Sequence, residues 1–362
     1  MKRILVTGVG GIGGVNFIRS LRLVEEQCYE KFFIVGTEYN IYYIEFPEVD
    51  VKFRTPKHSD ENFIPTLVKL IKSYSLEFLH PHPSSEAKVV SEFRGLFEDV
   101  GVKLYLPRPE DIMPSKFYMY EKLKSNNVPV PETIHLKSMD DIDEAFEKLG
   151  SPLWIRAISG AGGRLSLKVQ SPEEAKMWVK LNSLQGRAKI EEFIIQEYLP
   201  GRDLVFDSLW FNGELITSYA RERIEYPFKH ISLTGITGTP SVAKTIHDDE
   251  VNSVGIAAVK ALNPNPHGFY SVDLRGDVNG KPKVTEVDGK WHTTAPLWGY
   301  SMAKVYGKPE YNIAYLYIKL GFNEKLNWSL ERVNLFPEEH YLIRQMDSGV
   351  ILKFNENVWR VV

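Results

Sequence analysis

The chain contains a single cysteine, Cys28. No disulfide can close within it, and the expected setting is a reducing, cytoplasmic one. No apolar run approaches the roughly 18 residues that a membrane span needs. The opening MKRILVTG reads as a charged strand without the apolar core of a signal peptide. An excess of one charge is also missing: 44 basic and 47 acidic residues leave a net −3. That balance supplies no electrostatic pull toward nucleic acid or an anionic bilayer, so neither is expected as a partner. Tandem repeats and low-complexity tracts are absent. What remains is a soluble globular composition, and 362 residues are too many for one ordinary core, so two or three domains are expected.

The most informative stretch runs from Gly268 to Trp291, GFYSVDLRGDVNGKPKVTEVDGKW. Two β-prone runs flank Asn279-Gly280, a strong two-residue turn signal, and predict a hairpin. That turn places Asp273 opposite Glu286 and Asp288 opposite Ser271, with all three acids on one face. Like charges facing each other across strands are destabilising and call for a compensating cation. An all-oxygen set suits a hard ion such as Mg²⁺ better than zinc. A solvated hairpin face without metal is the plainer alternative.

From the N-terminus, KRILVTG, GVGGIGG and VNFIRSLRLV read as strand, tight turn and helix, with Phe17, Leu21 and Val24 on one helix side. A strand FFIVGTE follows, ending near Glu38. Glycines followed by an acid form a dinucleotide-binding pattern, although a close strand–helix turn requires the same glycines. LEFLHPH is a further strand whose exit carries His80 and His82. Glu86 opens the helix SSEAKVVSEFRGLFEDVG, and KLYLP closes an α/β domain near residue 108.

SKFYMYEKLKSNNVPVPET reads as helix, turn and extended segment. LWIRAISGAGGRLSLKV reads as two strands around Gly160, Gly162 and Gly163, with Arg156 on the entering strand. Such glycines allow positive φ and close approach to phosphate oxygens, although a plain flexible hairpin would use them too. SPEEAKMWVKLNSL is a helix opened by Ser171-Pro172. In IIQEYLPGRDL, apolar Ile194, Ile195 and Leu199 beside polar Glu197 and Asp203 suit a flat base with a ribose nearby. Arg221 and Arg223 alternate onto one side of the strand SYARERI, as an anion site or as surface ion pairs. The final DSGVILKFNENVWRVV reads as a small strand pair.

Taken in this order, the parts resemble the ATP-grasp superfamily over roughly residues 1–320, nearest in pattern to the carbamoyl-phosphate synthetase-like branch of carboxylate–amine ligases. The resemblance implies an α/β fold, α+β in the ATP-grasp part. Residues 1–108 would form an N-terminal Rossmann-like domain with a parallel sheet. Residues 109–325 would form a two-lobed ATP-grasp domain with its lid lobe at about 132–196, and 326–362 a C-terminal extension.

It further implies ATP held by Lys116, Arg156, Gly160, Gly162, Gly163, Glu197, Tyr198, Leu199 and Asp203. Mg²⁺, with Mn²⁺ as an alternative, would be held by Asp273, Glu286 and Asp288. Asp288 stands where the family pattern has asparagine, and Lys290 where it has arginine; lysine keeps the charge and loses the bidentate fork.

Arg221, Arg223, Arg275, Lys290 and His292 are the candidates for handling the acid and the transferred phosphoryl group. The implied activity is an ADP-forming ligase that activates a carboxylic acid as an acyl phosphate and joins it to an amine or similar nucleophile. Both substrates would be small molecules, and a homodimer is the default assembly. Three rivals remain: a phosphotransferase on the same fold, a nucleotide-binding module without catalysis, and an NAD(P)-dependent oxidoreductase or epimerase built on GVGGIGG and Glu38.

Overall fold

β-branched and aromatic runs buried on both faces need helices on both sides, and the first hundred residues supply them. The structure is a computed structural model that describes the chain apart from residues 160–162, 164, 346–348, 350, 355–356 and 361–362. Strands β1 (Lys2–Thr7), β2 (Phe32–Glu38), β3 (Val51–Arg54), β4 (Phe78–Pro81) and β5 (Lys103–Leu104) form a parallel sheet in the order β3-β2-β1-β4-β5. Helices α1 (Ile12–Gln27), α2 (Phe63–Tyr74), α3 (Ser84–Glu92) and α4 (Arg94–Asp99) connect them. The expected helix faces hold: Phe17, Leu21 and Val24 are fully buried. The single helix expected after Pro83 is instead two, broken at Phe93. There Arg94 Nη2 donates to the carbonyls of Leu106 and Pro107 at 2.9 and 3.0 Å and turns the second helix back toward the strand exit.

The next segment builds a small lobe. It contains α5 (Lys116–Ser125), β6 (Thr133–His135), α6 (Asp140–Leu149), β7 (Leu153–Ala157), β8 (Leu167–Val169), α7 (Pro172–Leu184) and β9 (Phe193–Glu197). Its four strands pair in the order β6-β9-β7-β8. The Ser171 hydroxyl accepts the Glu174 N–H at 3.3 Å and caps α7, with Pro172 at its first position, as expected. A larger antiparallel sheet follows from β10 (Asp203–Phe211), β11 (Glu214–Glu225), β12 (Val242–Ile246), β13 (Gly268–Gly276) and β14 (Pro282–Asp288), with α8 (Asp249–Leu262) between β12 and β13.

Helices α9 (Ala295–Tyr306) and α10 (Ile313–Gly321) come next, then β15 (Tyr341–Ile343), which pairs with β12 and completes the order β14-β13-β10-β11-β12-β15. Strands β16 (Ile351–Phe354) and β17 (Asn357–Arg360) form the expected terminal pair. No helix among the described residues is long and apolar enough to cross a membrane.

Two packing facts position the site. First, the period-two alternation of the large sheet divides its residues. Leu204, Phe206, Ala220, Tyr270, Val272 and Leu274 share a buried cluster with Val251, Val254 and Ala258 of α8. The residues alternating with them, including Asp203, Asp207, Arg221, Arg223, Ser271, Asp273 and Arg275, therefore face away from α8. Second, α9 and α10 pack on α1 of the parallel-sheet domain: Trp298, Met302, Ile313 and Leu316 share one core with Phe17, Ile18 and Leu21. Sequence order assigns these helices to the second domain, but their apolar faces are buried against the first. The carboxyl ends of β1 and β4 are thereby held close to the end of β14.

Candidate active site

On β13 and β14 the register is the expected one where it matters. Asp273 lies opposite Glu286 and Ser271 opposite Asp288. The turn differs. The strands are joined by residues 277–281, where Asp277 Oδ1 accepts the N–H groups of Asn279 and Lys281 at 2.8 and 2.9 Å. Gly280 there takes a φ of +82° that favours glycine. With Gly276 opposite Pro282 the tip is one residue out of step, and a bulge between Asp273 and Leu274 restores the pairing at the acids.

Each carboxylate then meets different partners. Asp273 receives Arg223 Nη2 at 2.7 Å and His292 Nε2 at 3.2 Å. Burial pushes its carboxyl up, but Arg223 and then His292 outweigh this and hold it well below the usual carboxylate range. Glu286 faces Lys290 at 2.6 Å, Lys116 at 3.4 Å and Arg156 at 3.8 Å. Burial again opposes ionisation, yet Lys290 and Lys116 hold the group at about 2.

Asp288 is the exception. It is 2% exposed, accepts the Met113 N–H at 2.8 Å and pairs with Lys290 at 2.8 Å, and burial pushes its carboxyl up. The expected set of three is therefore not assembled, and no group of three or more acidic, His or Cys side chains among the described residues is arranged as a ready metal site. Asp288 is taken up by the chain before α5. Asp273 and Glu286 remain, two ionised carboxylates facing each other, which is the donor set Mg²⁺ uses together with substrate phosphates.

The two lobes enclose a cavity of about 360 Å³. Asp273 and Glu286 line its wall together with Arg156, Gly163, Lys290, Arg221, Arg223 and His292. At one end are Trp154, Gln196, Glu197, Tyr198 and Leu199, and at the other Ser84, Thr293 and Thr294. Glu197 is ion-paired with Lys283. Asp203 turns toward β11, accepting the Tyr226 hydroxyl at 2.8 Å and facing Arg223 at 3.4 Å. Lys116 does not line the cavity but reaches Glu286 from below, 4% exposed, with burial lowering its pKa against the pull of that acid. Gly160 and Gly162 lie outside the described residues. Arg275 also lines the cavity and lies opposite Asp203, on the side of it away from Arg223.

Sequence reasoning missed the residue that organises the far end. Asp207 is fully buried and accepts from Ser271 Oγ at 2.9 Å and Tyr219 Oη at 2.9 Å, while His292 Nδ1 stands 2.7 Å and Arg221 Nη2 2.9 Å away. Burial raises its carboxyl, but Arg221 and then His292 hold it at about 2. His292 is bridged between Asp207 and Asp273, and their charges raise its pKa against burial. The signal was available, because Asp203, Val205 and Asp207 share one strand face by alternation.

Trp291 was missed as well. It stacks on Phe269 at 3.9 Å and meets Phe17, His80 and Tyr317 edge-on, anchoring Lys290 and His292 to the first domain. His80 and His82 are buried parts of this aromatic joint.

The glycine-rich turn after β1 has a structural explanation. Three of its amides are already used: Val9 N–H donates to Thr37 O, Gly10 N–H to Glu38 Oε2 and Gly11 N–H to Gly8 O. A Cβ on Gly13 would lie 2.1 Å from His82 Nε2. Close packing accounts for Gly13 and Gly14, and buried Glu38 accepts the Gly10 and Asn40 N–H groups at 3.0 and 3.1 Å.

Glu86, beside this turn, is held up to about 7, mainly by burial, with Glu38 adding and Thr7 opposing. Its folded pKa is above its unfolded value, so its stabilising share is full below about pH 4.5 and is lost as pH rises to about 7. His82, held at about 4 by burial, slopes the other way. Comparison of wild type with Glu86→Gln isolates the carboxyl. Urea unfolding at pH 5 and pH 8 should show the wild type losing on the order of 3 kcal/mol relative to the variant. A difference that does not change with pH would mean the carboxyl is ionised throughout.

Two antiparallel lobes closing on a charged cavity, with a parallel-sheet domain packed at its far end, are the architecture of the ATP-grasp class. A profile of the ATP-grasp domain matches residues 113–294, half of the chain, and the chain belongs to that family. It is 28% identical over 176 residues to the glutamate–LysW ligase ArgX of Sulfurisphaera tokodaii, which covers 48% of this chain and 59% of that ligase. It is 25% identical over 193 residues to the carbamoyl phosphate synthase large chain of Methanoculleus marisnigri, covering 50% of this chain and 17% of the synthase. The chain thus spans less than two thirds of the length of these relatives.

Among solved structures, the biotin carboxylase domain dimer of Hydrogenobacter thermophilus 2-oxoglutarate carboxylase, crystallised with MgADP, ADP and bicarbonate, superposes with a TM-score of 0.68. The superposition covers 94% of this chain and 73% of that one at 15% identity, a likeness of fold.

Proposed function

We propose that the chain is an ATP-dependent, ADP-forming ligase that joins a carboxylic acid to an amine, both small molecules. The observation that carries this reading is the wall formed by Asp273 and Glu286, ionised and opposed, with Arg156, Lys116 and Lys290 gathered around Glu286. A polyanion and a divalent cation complete that charge pattern. The base would sit against the strand exit Glu197–Leu199, largely on backbone atoms, and the ribose hydroxyls would meet Asp203. The triphosphate would pass Arg156 and Gly163 toward Lys290, with Lys116 adding positive charge from behind Glu286. Mg²⁺ would be held by Asp273 and Glu286 and would supply charge neutralisation at the phosphate oxygens.

Arg221, Arg223 and His292 would hold the acid at the far end. Its carboxylate oxygen would bond to the γ-phosphorus as the bond to ADP breaks. The amine nitrogen would then bond to the acyl carbon, phosphate would leave with the electron pair, and the amine would lose a proton. Such chemistry needs positioning and counter-charge more than covalent help from the protein. The family and the ligase relatives support this reading. The occupied amides of Val9, Gly10 and Gly11 speak against a dinucleotide there. On the same reading residues 1–108 contribute the acid-binding end, 109–325 the nucleotide site, and the work is done in the cytoplasm.

Calorimetric titration with ATP, NAD⁺ and NADP⁺, each with and without Mg²⁺, tests it. Magnesium-dependent ATP binding, followed by ADP release that requires an acid and an amine, is the expected result. Dinucleotide binding without ATP binding would overturn the assignment, and ADP release into a stable phosphorylated acceptor would make it a phosphotransferase.

A further inference from the structure

Among the described residues, every Arg and Lys that lines the cavity has an acidic partner except one. Arg156 faces Glu286, Arg221 faces Asp207, Arg223 faces Asp203 and Asp273, and Lys290 faces Glu286 and Asp288. Arg275 lines the same cavity, and among the described residues it has no ion pair and its buried Nε has no hydrogen-bond partner. The reason lies in the sheet. Its cross-strand neighbour Asp203 turns the other way, to Tyr226 and Arg223, and its other neighbour is a second cation, Lys283. An uncompensated guanidinium in a cavity wall calls for an anion or a π face from a ligand.

Its place distinguishes the two. The cations at Glu286 lie one row along the strands from Arg275. Arg275 lies on the opposite side, under the turn that leads from the base end into β10. The next residue, Gly276, donates its N–H to Arg202 O at 3.0 Å and accepts the Gly201 N–H at 2.9 Å. Approach there is so close that a Cβ on Gly201 would meet Gly276 O at 2.7 Å. Lys283, paired with Arg275 across the hairpin, reaches Glu197 at the end of β9. The backbone beside Arg275 is thus fixed to the turn at the base end, and its side chain lines the same cavity as Glu197, Tyr198 and Leu199.

Resting on the nucleotide reading above, we infer that Arg275 carries the face of the nucleobase on its guanidinium plane and so acts as a base-binding residue for the nucleotide. Arg275→Met keeps the apolar stem and loses the planar cation, whereas Arg275→Lys keeps the charge and loses the plane. The probes are Mg–ATP, adenosine and magnesium tripolyphosphate, titrated calorimetrically into wild type and both variants, with melting temperatures to confirm folding.

The expected result is that Arg275→Met binds ATP and adenosine about 5- to 30-fold more weakly, by similar factors, while tripolyphosphate binding is unchanged. Arg275→Lys should recover less than half of the loss. The inference is overturned if tripolyphosphate binding falls while adenosine binding does not, if lysine restores full affinity, or if no probe responds. A wild type that binds neither ATP nor adenosine would overturn the nucleotide reading itself, a result distinct from all of these.

Discussion

Glu286→Gln should lower ADP release by about 10²–10³-fold and leave a folded protein. Glutamine has nearly the same shape, so the change removes little besides charge. That charge is the centre of the site: Lys290, Lys116 and Arg156 all converge on it, and together they keep it ionised against burial. Without it, the cations repel one another and Asp273 alone faces the metal and the phosphates. Affinity for Mg²⁺ should fall together with turnover, so saturating metal should restore only part of the rate. The measurement is ADP release as a function of Mg²⁺, with the melting temperature as the folding control. Wild-type turnover in this variant would remove Glu286, and with it the metal assignment, from the mechanism.

Removing Asp207 should have the largest effect on stability. Arg221 is 1% exposed and its charge is met by this carboxylate, which also fixes Tyr219, Ser271 and His292. Breaking one partner of a buried ion pair leaves an uncompensated charge and costs about 3–5 kcal/mol. Asp207→Ala should therefore unfold at correspondingly lower urea concentration. The double variant Asp207→Leu, Arg221→Met should recover much of the loss, because replacing a buried pair with apolar side chains of similar volume is often neutral. Recovery without activity would separate the two contributions: the pair is dispensable for folding and required for holding the acid. If Asp207→Ala unfolds like wild type, the buried network is not what holds this end of the sheet.

Neighbouring residues show what could be read from the chain alone. Asp273 and Glu286 were legible as a facing pair because a strand alternates with period two and glycine and asparagine mark turns. The pairing survived even though the turn is longer than Asn279-Gly280, since the bulge after Asp273 absorbs the difference. Asp207 carried the same alternation signal from Asp203 and went unread. Asp288 was legible as a carboxylate on the right face, but its partner Met113 is 175 residues away along the chain.

The sequence by itself determined the strands and helices, the face each side chain takes, and the stock of acids and cations available to the site. Those follow from local backbone periodicity and residue chemistry. Only the tertiary structure decided how that stock is spent. It withdrew Asp288 to a backbone N–H and a lysine, seated His292 between two carboxylates, and left Arg275 without an acid among the described residues. It also packed α9 and α10 onto the first domain, bringing the end of β14 to the carboxyl edge of the parallel sheet. Each of these outcomes is a competition between partners far apart in sequence. Distance and burial in the folded chain settle it, and neither is written in any local stretch of residues.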